Sequence, residues 1–392
     1  MKIDALELKN FRCFANRRFE FAEGFNLLVG DNASGKTALL EGLGVGLGTF
    51  VKGVALLAQP LQRAHVRYQA YWKGQSLTLE PQSPTRVTCE GVVGDARLRW
   101  WREWKSPEDT NGREDDQLRP RTQVIRKNVT GGGDVLLPVV ASFPTGRVWD
   151  SEHKPVSTVA PGSRFDGYKD CLRVRARSSL FTEWFKTREL ESLQRGEAIG
   201  VLEAVRSAIL TCTEGATAVR FEVGLDELVV RFDQDATPFS SLSDGYRNML
   251  AMVADIAHRT SILNPQLGNR AAQESPGVVL IDELDLHLHP RWQRRVVADL
   301  MKAFPKVQFI ATTHSPFIIQ SLPDRASVQL LNLDDESRED FAGKSIEDIA
   351  ETVQGIEDVQ RSARHQEMMA TAKEYYRLLR EGKSMTMVAA RN

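Results

Sequence analysis

Gly30-Asp31-Asn32-Ala33-Ser34-Gly35-Lys36-Thr37 sets two glycines, a lysine and a hydroxyl in the spacing G-x-x-x-x-G-K-T. Glycines at its ends let the backbone bend so that successive N–H groups point inward at phosphate oxygens. Lys36 adds a compensating positive charge, and Thr37 offers a hydroxyl to Mg²⁺. A second group closes the apolar run Gly277-Val278-Val279-Leu280-Ile281 with Asp282 and Glu283. Phosphoryl transfer needs one carboxylate near a metal and one group that orients or deprotonates the attacking water. Asp282 suits the first task and Glu283 the second. A third run, Gln308-Phe309-Ile310-Ala311, ends in Thr312-Thr313-His314-Ser315. His314 at such a strand end is a donor to a γ-phosphate oxygen.

These groups need elements that bring them together. Phe25 to Val29 reads as a buried strand running into Gly30, and Thr37 to about Leu47 as the helix behind the loop. Gly42, Gly44 and Gly46 weaken that helix. Pro138 to Phe143, Gly277 to Ile281 and Gln308 to Thr312 read as further buried strands. Ligands of a parallel sheet bind at the carboxyl ends of its strands, so the three groups converge on one phosphate. Residues 3–9, 18–21, 76–104 and 217–232 alternate or are rich in β-formers, as half-buried strands are. Residues 106–117 and 151–163 read as loops, 167–210 as helical, and 345–382 as a charged helical tail. His287, His289 and His314 make no zinc set, because no cysteine or further acid completes one.

The chain has 392 residues, 42% hydrophobic and 26% charged, with a net charge of −1. No overall field therefore draws it to DNA or acidic membranes, and a nucleic-acid surface must be a local patch. Arg164, Lys169, Arg173, Arg175 and Arg177 form one candidate patch, diluted by Asp166 and Asp170. Cys13, Cys89, Cys171 and Cys212 form no CxxC pair, which fits reduced thiols. The first residues lack the apolar core of a signal peptide, and no apolar run approaches the ~20 residues that span a bilayer. The expectation is a cytoplasmic protein with no membrane partner.

Taken together these residues resemble the ABC-type ATPases of the SMC, RecF and OLD group. Leu8-Lys9-Asn10-Phe11-Arg12 looks like their "NFR" strand, and Gly30 to Thr37 match the Walker A loop. Ser241-Leu242-Ser243-Asp244-Gly245-Tyr246-Arg247 is similar to their signature motif. Ile281-Asp282-Glu283 match Walker B, Asp285 to Pro290 the D-loop, and Thr313-His314-Ser315 the switch histidine.

The resemblance implies an α/β fold: an ABC-type P-loop NTPase with a mixed β-sheet flanked by helices, an antiparallel β subdomain and a helical insertion. It divides the chain into an N-terminal lobe (1–150), a helical lid (151–215), a C-terminal lobe (216–335) and a helical tail (336–392). It implies ATP and Mg²⁺ as ligands, with Arg12 and residues 30–37 on the nucleotide. Lys36, Glu283 and His314 are then catalytic, and Thr37 and Asp282 hold the metal. Ser243 and Gly245 act in trans on the γ-phosphate held by a second copy, which makes the working unit a homodimer. Without the resemblance, Ser243 and Gly245 are only the tip of a helix able to bind an anion.

Two features depart from the pattern. The Q-loop glutamine has no clear counterpart, Arg147 standing near its place. About 200 residues separate Walker A from the signature, too few for long coiled-coil arms. The segments Pro138–Trp149, Ser163–Tyr168 and Trp184-Phe185 also look like compact ATPases of bacterial anti-phage systems, including the Septu type and retron-associated ATPases. Those commonly work with a separately encoded nuclease or toxin effector. The alternative is a DNA-repair or chromosome-maintenance ATPase that binds DNA. A transporter motor subunit is disfavoured by the late signature.

Overall fold

The computed structural model describes residues 1–57, 63–106, 113–114, 117–145, 162–172, 178–233 and 235–334, plus 345, 346, 348, 349, 371 and 377. Contacts group Met1–Ala342 into one unit and Gly343–Asn392 into another. Arg147, the 151–161 loop, Arg173, Arg175, Arg177 and nearly all of the expected tail helix lie outside the described residues.

The chain opens with β1 (Lys2–Phe11), β2 (Phe14–Glu20) and β3 (Phe25–Val29), then α1 (Lys36–Ala55). A hairpin follows, β4 (Tyr68–Lys73) and β5 (Ser76–Pro81), then β6 (Thr85–Val93), β7 (Ala96–Trp104) and the short β8 (Arg113–Glu114). Next come α2 (Leu118–Thr130), β9 (Val139–Phe143), α3 (Ser178–Arg195) and α4 (Gly200–Thr211). Strands β10 (Ala216–Glu222), β11 (Glu227–Phe232) and β12 (Asp235–Pro238) lead to α5 (Asp244–Leu263) and α6 (Ala271–Glu274). The remainder is β13 (Gly277–Ile281), α7 (Pro290–Gln293), α8 (Val296–Ala303), β14 (Val307–Thr312), α9 (Pro316–Gln320) and β15 (Val328–Asn332).

The continuous apolar runs form one parallel sheet in the order β15-β3-β14-β13-β9. Every residue of β3, β13 and β14 is buried, as expected for strands covered on both faces. The alternating segments are antiparallel: most form one sheet, β2-β1-β6-β7-β8, while Ser76–Pro81 pairs in the β4-β5 hairpin and the segment from Ala216 forms β10-β11-β12. Parallel and antiparallel pairings are thus both present, in different sheets. Gln308, fully buried in β14, joins the parallel sheet to β1. Its amide accepts from Ile3 N–H and donates to Ile3 C=O, both at 2.8 Å, beside the register shift of β1.

Helix α1 extends well past Leu47, to Ala55, and touches both sheets. Its 20 residues are long and apolar enough to cross a membrane, a run of that length being one the sequence reading did not expect, but most of the helix is buried inside the protein. The glycines that weaken it locally make the packing possible. A Cβ on Gly46 would lie 2.1 Å from Cys89 Sγ, and Gly46 C=O accepts from buried Trp100 Nε1 at 3.0 Å.

Several elements escape the sequence reading, among them β8 inside the expected 106–117 loop and the short β12. Helix α2 buries Leu118, Thr122 and Ile125 at helical spacing, obscured by its polar composition. Strand β15 is half-buried throughout, with no apolar stripe to announce it. Strand β4 pairs with β5 so that Tyr68, Trp72, Leu77 and Leu79 share one exposed face.

Candidate active site

Strand β3 lies between β14 and β15, so its carboxyl end sits between theirs. The 30–37 turn leaves that end with φ of 144° at Gly30, 75° at Ala33 and 101° at Gly35. Gly35 is doubly constrained. Its φ is left-handed, and a Cβ there would lie 2.5 Å from the Phe14 ring. The β1–β2 turn thus presses on the loop, while Asp31, Asn32, Ala33 and Thr37 stay exposed.

Lys36 is buried and folds back along the loop, donating to Gly30 C=O at 2.7 Å and Asp31 C=O at 2.8 Å. Desolvation lowers its pKa, opposed by the carboxylates of Asp334, Asp282, Asp31 and Glu283. Thr37 Oγ1 donates to Asp282 Oδ2 at 3.0 Å. Thr312 Oγ1 donates to Asp282 Oδ1 at 2.7 Å and accepts from Glu283 N–H at 2.7 Å. Asp282 is only 5% exposed, so these hydroxyls hold both its oxygens where water scarcely reaches.

The chain turns sharply after Asp282. Glu283 has φ 49°, a left-handed conformation unfavourable for a side chain with a Cβ. That turn separates it from the inward Asp282 and leaves it half-buried. Asp285 then anchors the end of β14: Thr313 Oγ1 donates to its Oδ1 at 2.6 Å and His314 N–H at 3.3 Å. His314 itself is exposed. Lys36, Thr37, Asp282 and Glu283 therefore share one neighbourhood, with Asp285 holding the β14 end at Thr313-His314.

The other expected residues are held by contacts of their own. Arg12 pairs with Glu41 on α1 at 2.6 Å, so its guanidinium already has an anionic partner. Ser243 is the exposed N-cap of α5. Gly245 is buried, and a Cβ there would lie 2.0 Å from His287 C=O. It seats the helix tip on the turn after β13. Of the basic patch, Arg164 and Lys169 are among the described residues. Arg164 donates through Nε to Leu263 C=O at 2.8 Å and through Nη1 to Gly133 C=O at 3.1 Å, and Lys169 pairs with Asp166 at 2.8 Å. Arg164 is an internal strut rather than a phosphate contact. Among described residues, no cluster of three or more His, Cys, Asp or Glu could hold a metal ion.

Sequence reasoning missed Thr312 and Asp334. Thr312 carries a weak signal, a hydroxyl at the end of an apolar strand. Asp334 carries none. It enters because β15 runs parallel to β3 with Asn332 opposite Val29, and its Oδ2 accepts from Asp31 N–H at 2.5 Å.

Residues 165–320 match the family model described as "AAA domain, putative AbiEii toxin, Type IV TA system", and residues 5–55 match one described as "AAA domain". The chain is 42% identical over 108 residues to the retron Vc95 probable ATPase of Vibrio cholerae serotype O1 biovar El Tor, covering 28% of this chain and 20% of that protein. It is 40% identical over 116 residues to the Septu protein PtuA of Bacillus mycoides (strain KBAB4), covering 30% of this chain and 15% of that one. The matched segments thus span about a fifth or less of these relatives. An SmcHead crystallised with the C-winged helix domain of ScpA aligns over 81% of this chain and 91% of its own, at 17% identity and a TM-score of 0.49. With its phosphate-loop turn at the carboxyl edge of a parallel sheet, the chain has an α/β P-loop ATPase fold and resembles the ABC-type ATPases of the SMC, RecF and OLD group, the compact AAA-family ATPases of retron and Septu systems among them.

Proposed function

We propose that the chain binds ATP with Mg²⁺, hydrolyses it, and works as a nucleotide-driven homodimer. The observation that carries this reading is the Thr37–Asp282 contact beside Lys36 and the amide-lined loop. Thr37 gives its hydroxyl hydrogen to Asp282 and so presents a lone pair to a cation. Mg²⁺ keeps several waters and takes few protein ligands beside substrate phosphates, so this pair suits it without a larger acidic cluster. When bound, the ion neutralises phosphate charge. Lys36 and the loop N–H groups hold the phosphates, and Glu283, turned away from Asp282, orients the attacking water. His314 donates to the γ-phosphate from the end of β14. Ser243, exposed at the α5 tip, reaches the nucleotide of a second copy, with Gly245 supporting that tip. Arg12 contributes only by exchanging Glu41 for nucleotide.

We further propose that this ATPase belongs to an anti-phage defence system and controls a separate nuclease or toxin. Its likeness to retron and Septu proteins supports this reading. A helical lid at 151–215 and a tail at 336–392 complete the proposed arrangement. The alternative is a DNA-repair or chromosome-maintenance ATPase that binds DNA; both readings could use a basic surface, and Arg164 is not free to serve either.

The test is nucleotide titration of Lys36→Ala together with solution mass with and without ATP. Loss of binding, and an ATP-dependent doubling of mass in the parent protein, are expected. Unchanged ATP affinity in Lys36→Ala would refute the phosphate-loop assignment. A parent mass indifferent to ATP would refute the dimer.

A further inference from the structure

Asp334 lies one residue past the bonded end of β15, and three contacts fix it there. Leu333 N–H donates to Val29 C=O at 2.9 Å, extending the β15–β3 pairing to the residue before Gly30. Arg17 Nη1 donates to Leu333 C=O at 2.8 Å, and Asp334 N–H donates to Asn332 Oδ1 at 3.1 Å. The side chain turns into the phosphate loop. Its Oδ2 accepts from Asp31 N–H, and a Cβ on Gly30 would lie 2.8 Å from the same oxygen. Asp334 also leads the carboxylates that act on Lys36.

A carboxylate that accepts a backbone N–H makes a charge-assisted bond, stronger than a neutral acceptor makes. It stiffens the start of the loop. It also sets a negative charge beside the groups that receive a triphosphate, in a neighbourhood that already holds Asp31, Asp282 and Glu283. These two effects oppose each other for binding: a stiffened loop costs less to order, while the added anion repels phosphate.

We propose that Asp334 is a positioning residue that sets nucleotide affinity, holding the loop by its Asp31 amide while its charge opposes incoming phosphates. The inference rests on the nucleotide reading above. Weaker binding through a fixed internal anion keeps the site responsive to nucleotide concentration and eases product release. It also makes the end of β15 sensitive to whether phosphate occupies the loop.

The full chain, Asp334→Asn and Asp334→Ala are compared in titrations with ATP, ADP and adenosine at low and high salt, with Lys36→Ala as control. Asparagine keeps an oxygen acceptor for Asp31 N–H and removes the charge; alanine removes both. Asp334→Asn tightens ATP binding by about three- to tenfold at low salt, as expected for one screened charge near a polyanion. The gain is smaller for ADP, absent for adenosine, and shrinks at high salt. Asp334→Ala gains less than Asp334→Asn, because the loop loses its anchor. An unchanged or weaker ATP affinity in Asp334→Asn, or an equal gain for adenosine, overturns the inference. If Lys36→Ala abolishes binding while Asp334→Asn is silent, only this inference fails. If Lys36→Ala binds ATP normally, the nucleotide reading fails and takes this one with it.

Discussion

Thr37 Oγ1 sits 3.0 Å from Asp282 Oδ2, joining residues 245 positions apart in the chain. The contact ties the first turn of α1 to the end of β13, so the geometry of the loop and of the acidic strand end are set by one another. Thr312 supplies the second donor to the same carboxylate and the acceptor for Glu283 N–H.

Thr312→Val should therefore disturb two partners. It leaves buried Asp282 Oδ1 without that donor and Glu283 N–H without its acceptor. Stability should fall by about 1–3 kcal/mol, and Mg²⁺-dependent turnover should fall about tenfold or more. Urea denaturation and a Mg²⁺ titration of phosphate release measure both. Parent-like values in each would remove Thr312 from the site.

Glu283→Gln should bind ATP as tightly as the parent, lose turnover by about a hundredfold or more, and accumulate as a dimer. Single-turnover hydrolysis and solution mass report the two effects. Normal hydrolysis would show that another group handles the water.

The α5 tip separates two roles. Ser243→Arg, at an exposed position, should leave folding and ATP binding intact and abolish turnover. Gly245→Ala places a methyl against His287 C=O, so backbone must shift, with a loss of about 1–3 kcal/mol. Thermal melts distinguish them. A Gly245→Ala melt equal to that of the parent would mean the tip is not seated on the 287–288 turn.

His258 on α5 packs against Trp184 of α3, ring centroids 4.6 Å apart and planes tilted by 58°, and its buried Nε2 has no hydrogen-bond partner among the described residues. Burial holds its pKa down to about 4. Unfolded, it titrates near 6.5, so between these values the unfolded chain binds the extra proton and stability falls as pH falls. The full effect is about 3 kcal/mol, lost progressively from pH 6.5 to 4. His258→Phe keeps a ring against Trp184 and should flatten that part of the pH–stability curve. Urea midpoints at pH 7 and pH 5 check it; an equal drop in parent and variant would exclude His258 as the source.

The amino-acid order by itself determined the candidate loop and strand ends on which the proposed chemistry rests. G-x-x-x-x-G-K-T cannot be built without its glycines, and apolar runs ending in Asp282-Glu283 and Thr313-His314 mark strand ends, because buried strands must be apolar and ligands collect where they stop. Only the tertiary structure decided which strands are neighbours. Setting β3 between β14 and β15 brings Asp334 to the loop, a residue with no local signal, because proximity there comes from register across the sheet rather than spacing along the chain. The same holds for Arg164, whose charge suggested a surface contact, while its hydrogen bonds to main-chain carbonyls make it an internal strut. The glycines of α1 look like helix weaknesses in one dimension; the approach of Cys89 and Trp100 turns Gly46 into a packing requirement.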